Sequence, residues 1–271
     1  MIDRYLKLGV NVAEDAVGHS LRKLEALSFA LTVKMHFVNS QYYITSQSYP
    51  EISKICQIST KKAKRLLEDV VKFNYATKSE NGITLNIHKL YSDGELCFKL
   101  RVNDFLGKQV NATYIKKNDT DKECISLQYV VDEIRKLVIQ SHIQRKNFIS
   151  DTKKGYADAK TLSEAKRFSK RIKKYAISET IDVANNGISI DSFMNVINVK
   201  NRNKVKNLLD QLVFDKLIER TKNIIYIGKC KLNTFYQSDE FGCFFSFNNN
   251  LYLKNRNEYS LNKIAADRIC F

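Results

Sequence analysis

The stretch Gln57-Ile58-Ser59-Thr60-Lys61-Lys62-Ala63-Lys64-Arg65-Leu66-Leu67-Glu68-Asp69-Val70-Val71-Lys72-Phe73 decides how this chain is read. Ala63, Leu66, Leu67, Val70, Val71 and Phe73 recur at spacings of three and four, which predicts an amphipathic helix with one inward stripe. Ser59 or Thr60 is the expected N-cap, and Lys61, Lys62, Lys64 and Arg65 crowd the outward N-terminal end. Gln57-Ile58-Ser59 is a tight break. Before it, Ser48 and Glu51 have the spacing of a capping box, and the chain's single proline, Pro50, falls in the first turn, where a missing N–H costs little. A short helix to about Cys56, a three-residue turn and a longer helix that opens with cations make a helix-turn-helix pattern.

Working outward, Leu24, Leu27, Phe29, Leu31, Val33, Met35 and Phe37 form a run without Gly or Pro, which predicts a well-buried helix, and Tyr42-Tyr43-Ile44-Thr45 follows as a short β-like segment. Downstream, Tyr75 to Glu80 and Ile83 to His88 flank Asn81-Gly82, with Ile83, Leu85 and Ile87 alternating against polar neighbours. That is the pattern of a β-hairpin with a type I′ turn. Helix, short strand, helix, turn, basic helix and hairpin follow one another in the order of a winged-helix domain, and from His19 to Leu90 the sequence resembles that family.

The pattern occurs twice. Lys62 to Val71 (KAKRLLEDVV) aligns, 142 residues on, with Lys204 to Val213 (KVKNLLDQLV), five of ten positions being identical. A long helix is expected over Phe168, Ile172, Tyr175, Ala176, Ile177, Ile181 and Val183, ending at Asn185-Asn186-Gly187. Ile188-Ser189-Ile190 would supply the short strand, and Asp191 or Ser192 would cap a brief helix to about Ile197. Asn198-Val199-Lys200 would then be the turn. The second basic helix opens with Lys200, Asn201, Arg202, Asn203, Lys204 and Lys206, and Leu217 to Arg220 and Ile224 to Ile227 flank Thr221-Lys222-Asn223 as a second wing. After Lys231, the segments 241–247 and 251–254 read as a hairpin, followed by a short helix ending at Phe271.

The expected fold class is therefore mostly α with small β-hairpins (α+β), as two winged helix-turn-helix domains. The boundary is placed in the polar loop 116–122, with an N-terminal winged-helix domain over 1–115, a linker and helix over 116–160, and a C-terminal winged-helix domain over 161–271. The joining region is helical and basic: residues 140–179 carry eleven Lys/Arg against four Asp/Glu, among them Arg167, Lys170, Arg171, Lys173 and Lys174.

Composition speaks to partners. The chain has 271 residues, 45 Lys+Arg against 29 Asp+Glu and a formal charge of +16, which favours polyanions. With 44% hydrophobic and 11% aromatic residues it can build a core, so a disordered tail is excluded. The N-terminus lacks a signal-peptide apolar region, and no stretch is long and apolar enough to span a bilayer, so a cytoplasmic protein without membrane association is expected. The six cysteines stand singly and are expected to be reduced and packed as small apolar groups.

The expected DNA-binding residues are Ser59, Thr60, Lys61, Lys62, Lys64 and Arg65 in the first copy, and Lys200, Asn201, Arg202, Asn203, Lys204 and Lys206 in the second. A helix of this kind fits the major groove, its first amides and cations meet phosphates, and Asn and Arg suit adenine and guanine edges. Lys78 and His88 on the first wing and Lys222 on the second are candidates for backbone or minor-groove contacts, and Arg167 to Lys174 for phosphates. The competing reading of each is an ordinary solvated face. No catalytic residue, metal site or cofactor is expected: His19, His36, His88 and His142 are scattered, and Gly107-Lys108 lacks a Gly-rich loop. Two winged helices on a basic chain of this size resemble plasmid and phage replication initiators. That resemblance implies duplex DNA gripped by both helices, recruitment of replication machinery and scope for a homodimer. A transcription regulator of the same build, meeting transcription machinery instead, and a non-enzymatic docking or assembly protein are the alternatives.

Overall fold

The computed structural model describes residues 5–36, 43–44, 49–80, 82–86, 89–91, 95–106, 124–153, 176–177, 187–222, 224–230, 236–239, 242–254 and 256–270. In chain order these form β1 (Tyr5–Gly9), α1 (Val10–His19), α2 (Leu21–His36), β2 (Tyr43–Ile44), α3 (Tyr49–Ile55), α4 (Thr60–Lys72), β3 (Ala76–Ser79), β4 (Gly82–Leu85) and β5 (Cys97–Arg101). Then come α5 (Leu127–Lys153), β6 (Ala176–Ile177), α6 (Ile190–Val196), α7 (Arg202–Phe214), β7 (Ile218–Thr221) and β8 (Ile224–Cys230). The chain closes with β9 (Tyr236–Asp239), β10 (Gly242–Phe247), β11 (Asn250–Lys254), β12 (Glu258–Leu261), α8 (Lys263–Ala266) and β13 (Ile269–Cys270). The architecture is mixed α and β with small antiparallel sheets, as the sequence predicts at that level.

α2 is buried almost all round, from Leu24 through Leu27, Phe29, Ala30, Leu31 and Val33, which makes it the central helix of the first half. Its two buried hydroxyls are satisfied within the helix, Ser28 and Thr32 each donating to the carbonyl four residues back at 2.8 Å. α4 lays Ala63, Leu66, Leu67 and Val70 inward.

The sequence repeat is a structural repeat. α3 ends in a turn with Gln57 in the left-handed region (φ 54°), closed by Ile58 N–H donating to Ser53 O at 2.9 Å. α6 ends likewise at Asn198 (φ 48°), with Val199 N–H donating to Met194 O at 3.0 Å. α4 stops at Asn74 (φ 63°), where Tyr75 N–H reaches Val70 O at 2.8 Å. α7 stops at Lys216 (φ 55°), where Leu217 N–H reaches Leu212 O at 2.9 Å. Both are the left-handed helix stop that satisfies otherwise orphaned carbonyls.

The sheets do not repeat. In the first half β3 and β4 form a hairpin, and β2 adds to β4, giving the order β2-β4-β3. The register pairs Ser79 with Gly82, so Gly82 already belongs to the strand, with φ 139°, rather than to the turn. The expected second wing is corrected: β7 pairs with β12, whereas β8 pairs with β11 and β6. The reason is burial. β7 and β12 bring Ile218 and Tyr259 inward, and the Tyr259 ring meets Phe193 of α6 edge-on at 5.1 Å, a contact that a β7–β8 hairpin would not make. β8 instead joins a five-stranded sheet of order β6-β8-β11-β10-β9.

β10 and β11 are the expected hairpin. The expected terminal helix is shorter than read: Asn262 caps α8, accepting from Ala265 N–H at 2.9 Å, and Ile269 and Cys270 then pair with Phe98 and Cys97 of β5. β5, flanked by β1 and β13, thereby receives both ends of the described chain. The polar loop 116–122 lies outside the described residues, as does most of the helix expected over 168–183, of which only β6 is described.

α5 occupies the centre. It buries Val130, Val131, Ile134, Leu137, Val138, Ile139 and Ile143, and the buried side chains form one cluster reaching from Leu8 to Ile269. Toward the first half, Ser141 donates to Glu14 of α1 at 3.0 Å, and Arg145 is ion-paired with the same carboxylate. Toward the second, His142 is 3.0 Å from the Ser192 hydroxyl of α6. Cys56, Cys97 and Cys124 are buried, and burial chiefly pushes the Cys56 thiol up to about 12, which leaves it an apolar group.

Candidate nucleic-acid interface

The N-terminal turn of α4 divides its cations into two sets. Ser59 caps the helix, its hydroxyl accepting from Lys62 N–H at 3.2 Å. Lys62 and Arg65 turn back to α2, with Lys62 Nζ 2.8 Å from one oxygen of Glu25 and Arg65 2.7 Å from the other. Asp69, one turn below and only 1% exposed, receives the Arg22 guanidinium at 2.6 to 2.9 Å, with Arg65 Nε at 4.0 Å. Thr60, Lys61 and Lys64 are exposed, and among the described residues neither lysine has a carboxylate partner.

α7 repeats the division. Asn201 caps it, its Oδ1 accepting from Asn203 N–H at 2.9 Å and from Lys204 N–H at 3.1 Å. Arg202 is paired with Asp191 of α6 at 3.1 Å, and Lys204 with Asp132 of α5 at 3.3 Å. Lys200, Asn203 and Lys206 are exposed, again without a carboxylate partner for either lysine among the described residues.

The correspondence is residue by residue. Lys62 and Lys204, 142 positions apart, each tie the basic helix to a carboxylate on the long helix behind it. Lys64 and Lys206, also equivalent, each face solvent. Asp132 thus does for α7 what Glu25 does for α4, so α5 stands behind the second helix pair as α2 stands behind the first. Sequence reading singled out neither carboxylate. A Glu or Asp on an upstream helix face carries no local mark, and only packing brings it to its lysine.

Lys78 is exposed on β3 opposite Ile83 of β4, and Lys222 is exposed in the connection where β7 and β8 part. His88, Arg167, Lys170, Arg171, Lys173 and Lys174 lie outside the described residues.

The His142–Ser192 pair is the one arrangement here with a catalytic look. Burial, then Lys146 and Arg145, lower the imidazole from 6.5 to about 4, so it is neutral at physiological pH. Its ring lies edge-on to Phe193 at 5.8 Å, inside the α5–α6 seam, and no carboxylate orients it among the described residues. It has the geometry of a packing contact. Among the described residues no group of three or more His, Cys, Asp or Glu is placed to hold a metal, and no helix is long and apolar enough to cross a membrane.

In comparisons with protein-family models, curated proteins and solved structures, nothing matches this chain.

Proposed function

We propose that the chain binds double-stranded DNA through two helix-turn-helix units, the first of them winged, with the N-terminal turns of α4 and α7 set in the major groove. The observation that supports this reading is the repeated division of cations. Lys62, Arg65, Arg202 and Lys204 are each ion-paired with a carboxylate of the protein, whereas Lys61, Lys64, Lys200 and Lys206 stand in solvent at the ends of two matched helices. Those ends also carry the positive pole of the helix dipole, which draws phosphate. The ion-paired set fixes how each helix is rolled, and the solvent-facing set meets the backbone. Asn203 is the better base reader of the two asparagines: Asn201 Oδ1 is already engaged as a cap, and bidentate recognition of adenine needs both the oxygen and the nitrogen of the amide.

The role is that of a plasmid- or phage-type replication initiator, which occupies origin DNA, recruits replication machinery in the cytoplasm and performs no chemistry of its own. The test is the salt dependence of binding to random duplex. Replacing Lys61, Lys64, Lys200 and Lys206 together by Ala is expected to flatten the log–log slope by about 3 to 4. A slope equal to that of the parent removes these helices from the DNA surface. Footprinting is then expected to protect iterated repeats at an origin, whereas protection of single promoter operators would make the protein a regulator.

A further inference from the structure

The five-stranded sheet of the C-terminal region has two unlike faces. Leu251 is fully buried on one. On the other, the register places Tyr226 of β8 opposite Tyr252 of β11, and Tyr252 opposite Phe245 of β10. The Tyr226 and Tyr252 rings meet at 5.8 Å and 63°, and the Tyr252 and Phe245 rings stack at 5.4 Å and 20°. Phe247 lies two residues along β10 from Phe245, and Lys254 two residues along β11 from Tyr252, so alternation puts both on this same face. The outer rings are largely in solvent, Tyr226 at 55% exposure and Phe247 at 61%.

A solvated face of an antiparallel sheet is ordinarily polar. This one is a row of aromatic rings running across three strands. Its charge is also one-sided: β8, β10 and β11 contain Lys229 and Lys254 and no Asp or Glu, and the acidic residue of the sheet, Asp239, sits on the edge strand β9. Among the described residues neither Tyr226 nor Tyr252 has its hydroxyl hydrogen-bonded. Aromatic rings whose outer members lie largely in solvent, on strands that carry lysines and no acid, suit a polyanion whose units present flat apolar faces of their own. Unpaired nucleobases on a phosphodiester backbone have that chemistry, and stacking on aromatic side chains with nearby cations is how they are held without sequence preference.

We propose that this face is a stacking platform for single-stranded nucleic acid, a second site separate from α4 and α7. Duplex DNA has its bases already stacked and would not use it. The platform therefore takes single strands independently of the duplex-binding reading above.

The experiment measures fluorescence anisotropy of labelled oligo(dT) and oligo(U) of about fifteen nucleotides, with random duplex alongside. Parent protein is compared with two double variants at the exposed outer rings: Tyr226→Leu with Phe247→Leu, which keeps bulk but removes the rings, and Tyr226→Phe with Phe247→Tyr, which keeps them. The ring-removing variant is expected to lose about tenfold or more in single-strand affinity. The ring-keeping variant should match the parent, and duplex binding should be the same in all three. Tighter binding of oligo(dT) names DNA as the source, and tighter binding of oligo(U) names RNA. The proposal is overturned if the parent binds neither oligonucleotide, or if both variants bind single strands equally well. It is also overturned if the parent is a dimer that the ring-removing variant dissociates, since a second copy would then cover the face.

Discussion

The two helix–turn–helix–strand units resemble each other up to the residue after the basic helix and part company there. Turn residue, N-cap, basic helix, left-handed stop and the tie from Lys62 or Lys204 to a helix behind are shared. In the first unit the chain then folds back into its own hairpin. In the second the two following strands enter different sheets. Helix ends are closed by hydrogen bonds between residues a few positions apart, so a repeated sequence repeats them. Strand partners are chosen by what they bury, so the same local pattern finds different neighbours.

Core truncation should give the largest effect. Phe193 of α6 and Ile52 of α3 hold equivalent places and are both fully buried. Phe193→Ala is expected to cost about 3–5 kcal/mol and Ile52→Ala about 2–5 kcal/mol. Because the core is one cluster, each should lower the midpoint of a single unfolding transition followed by circular dichroism. A transition that splits in two, with only one part displaced, would show the units to be thermodynamically separate.

A smaller effect belongs to the seam that the second unit shares with α5. His142 is lowered from 6.5 to about 4, so between those values the unfolded chain binds a proton that the folded chain does not. Stability contributed by the neutral imidazole is complete above 6.5 and is lost as pH falls toward 4. Urea midpoints measured across that range should decline with acidity, and His142→Gln should reduce the decline. A parallel decline in both proteins would place the acid sensitivity elsewhere.

The smallest stability change, and the sharpest comparison of the basic helices, comes from their tethers. Glu25→Gln should cost no more than about 1 kcal/mol, since Lys62 and Arg65 are partly exposed, whereas Asp132→Asn should cost more, since it also strips Arg135, only 7% exposed, of its carboxylate at 3.2 Å. Of the basic-helix cations, Glu25 releases two, Lys62 and Arg65, and Asp132 releases one, Lys204. Under the duplex-binding proposal, the salt slope should steepen by up to about 2 for the first and about 1 for the second. Equal slopes would mean that the released side chains do not reach phosphate.

Much of the helical scaffold was legible in the sequence because its determinants are contiguous. Spacings of three and four marked the inward stripe of α4, Ser59 marked its cap, and the KAKRLLEDVV/KVKNLLDQLV match marked its second copy. The candidate interface was legible only as a set of residue types. Eight cations at two helix starts look alike in a sequence, yet the fold pairs Lys62, Arg65, Arg202 and Lys204 with carboxylates and leaves Lys61 and Lys64 facing solvent, as it does Lys200 and Lys206. Ser59 and Asn201, read as DNA contacts, are engaged as caps.

From sequence alone came the inward stripe, cap and turn of α4, its second copy in α7 and the surplus of positive charge, all properties of neighbouring residues or of simple counts. The cap of α6, expected at Asp191 or Ser192, is Ser189. Tertiary structure alone decided that β7 takes β12 and β8 takes β11. It also decided that β13 returns to β5, that α5 stands behind the second helix pair, and which lysines face water. Those outcomes depend on partners far apart in the chain, selected by burial of apolar surface and by the carboxylates that packing happens to bring within reach.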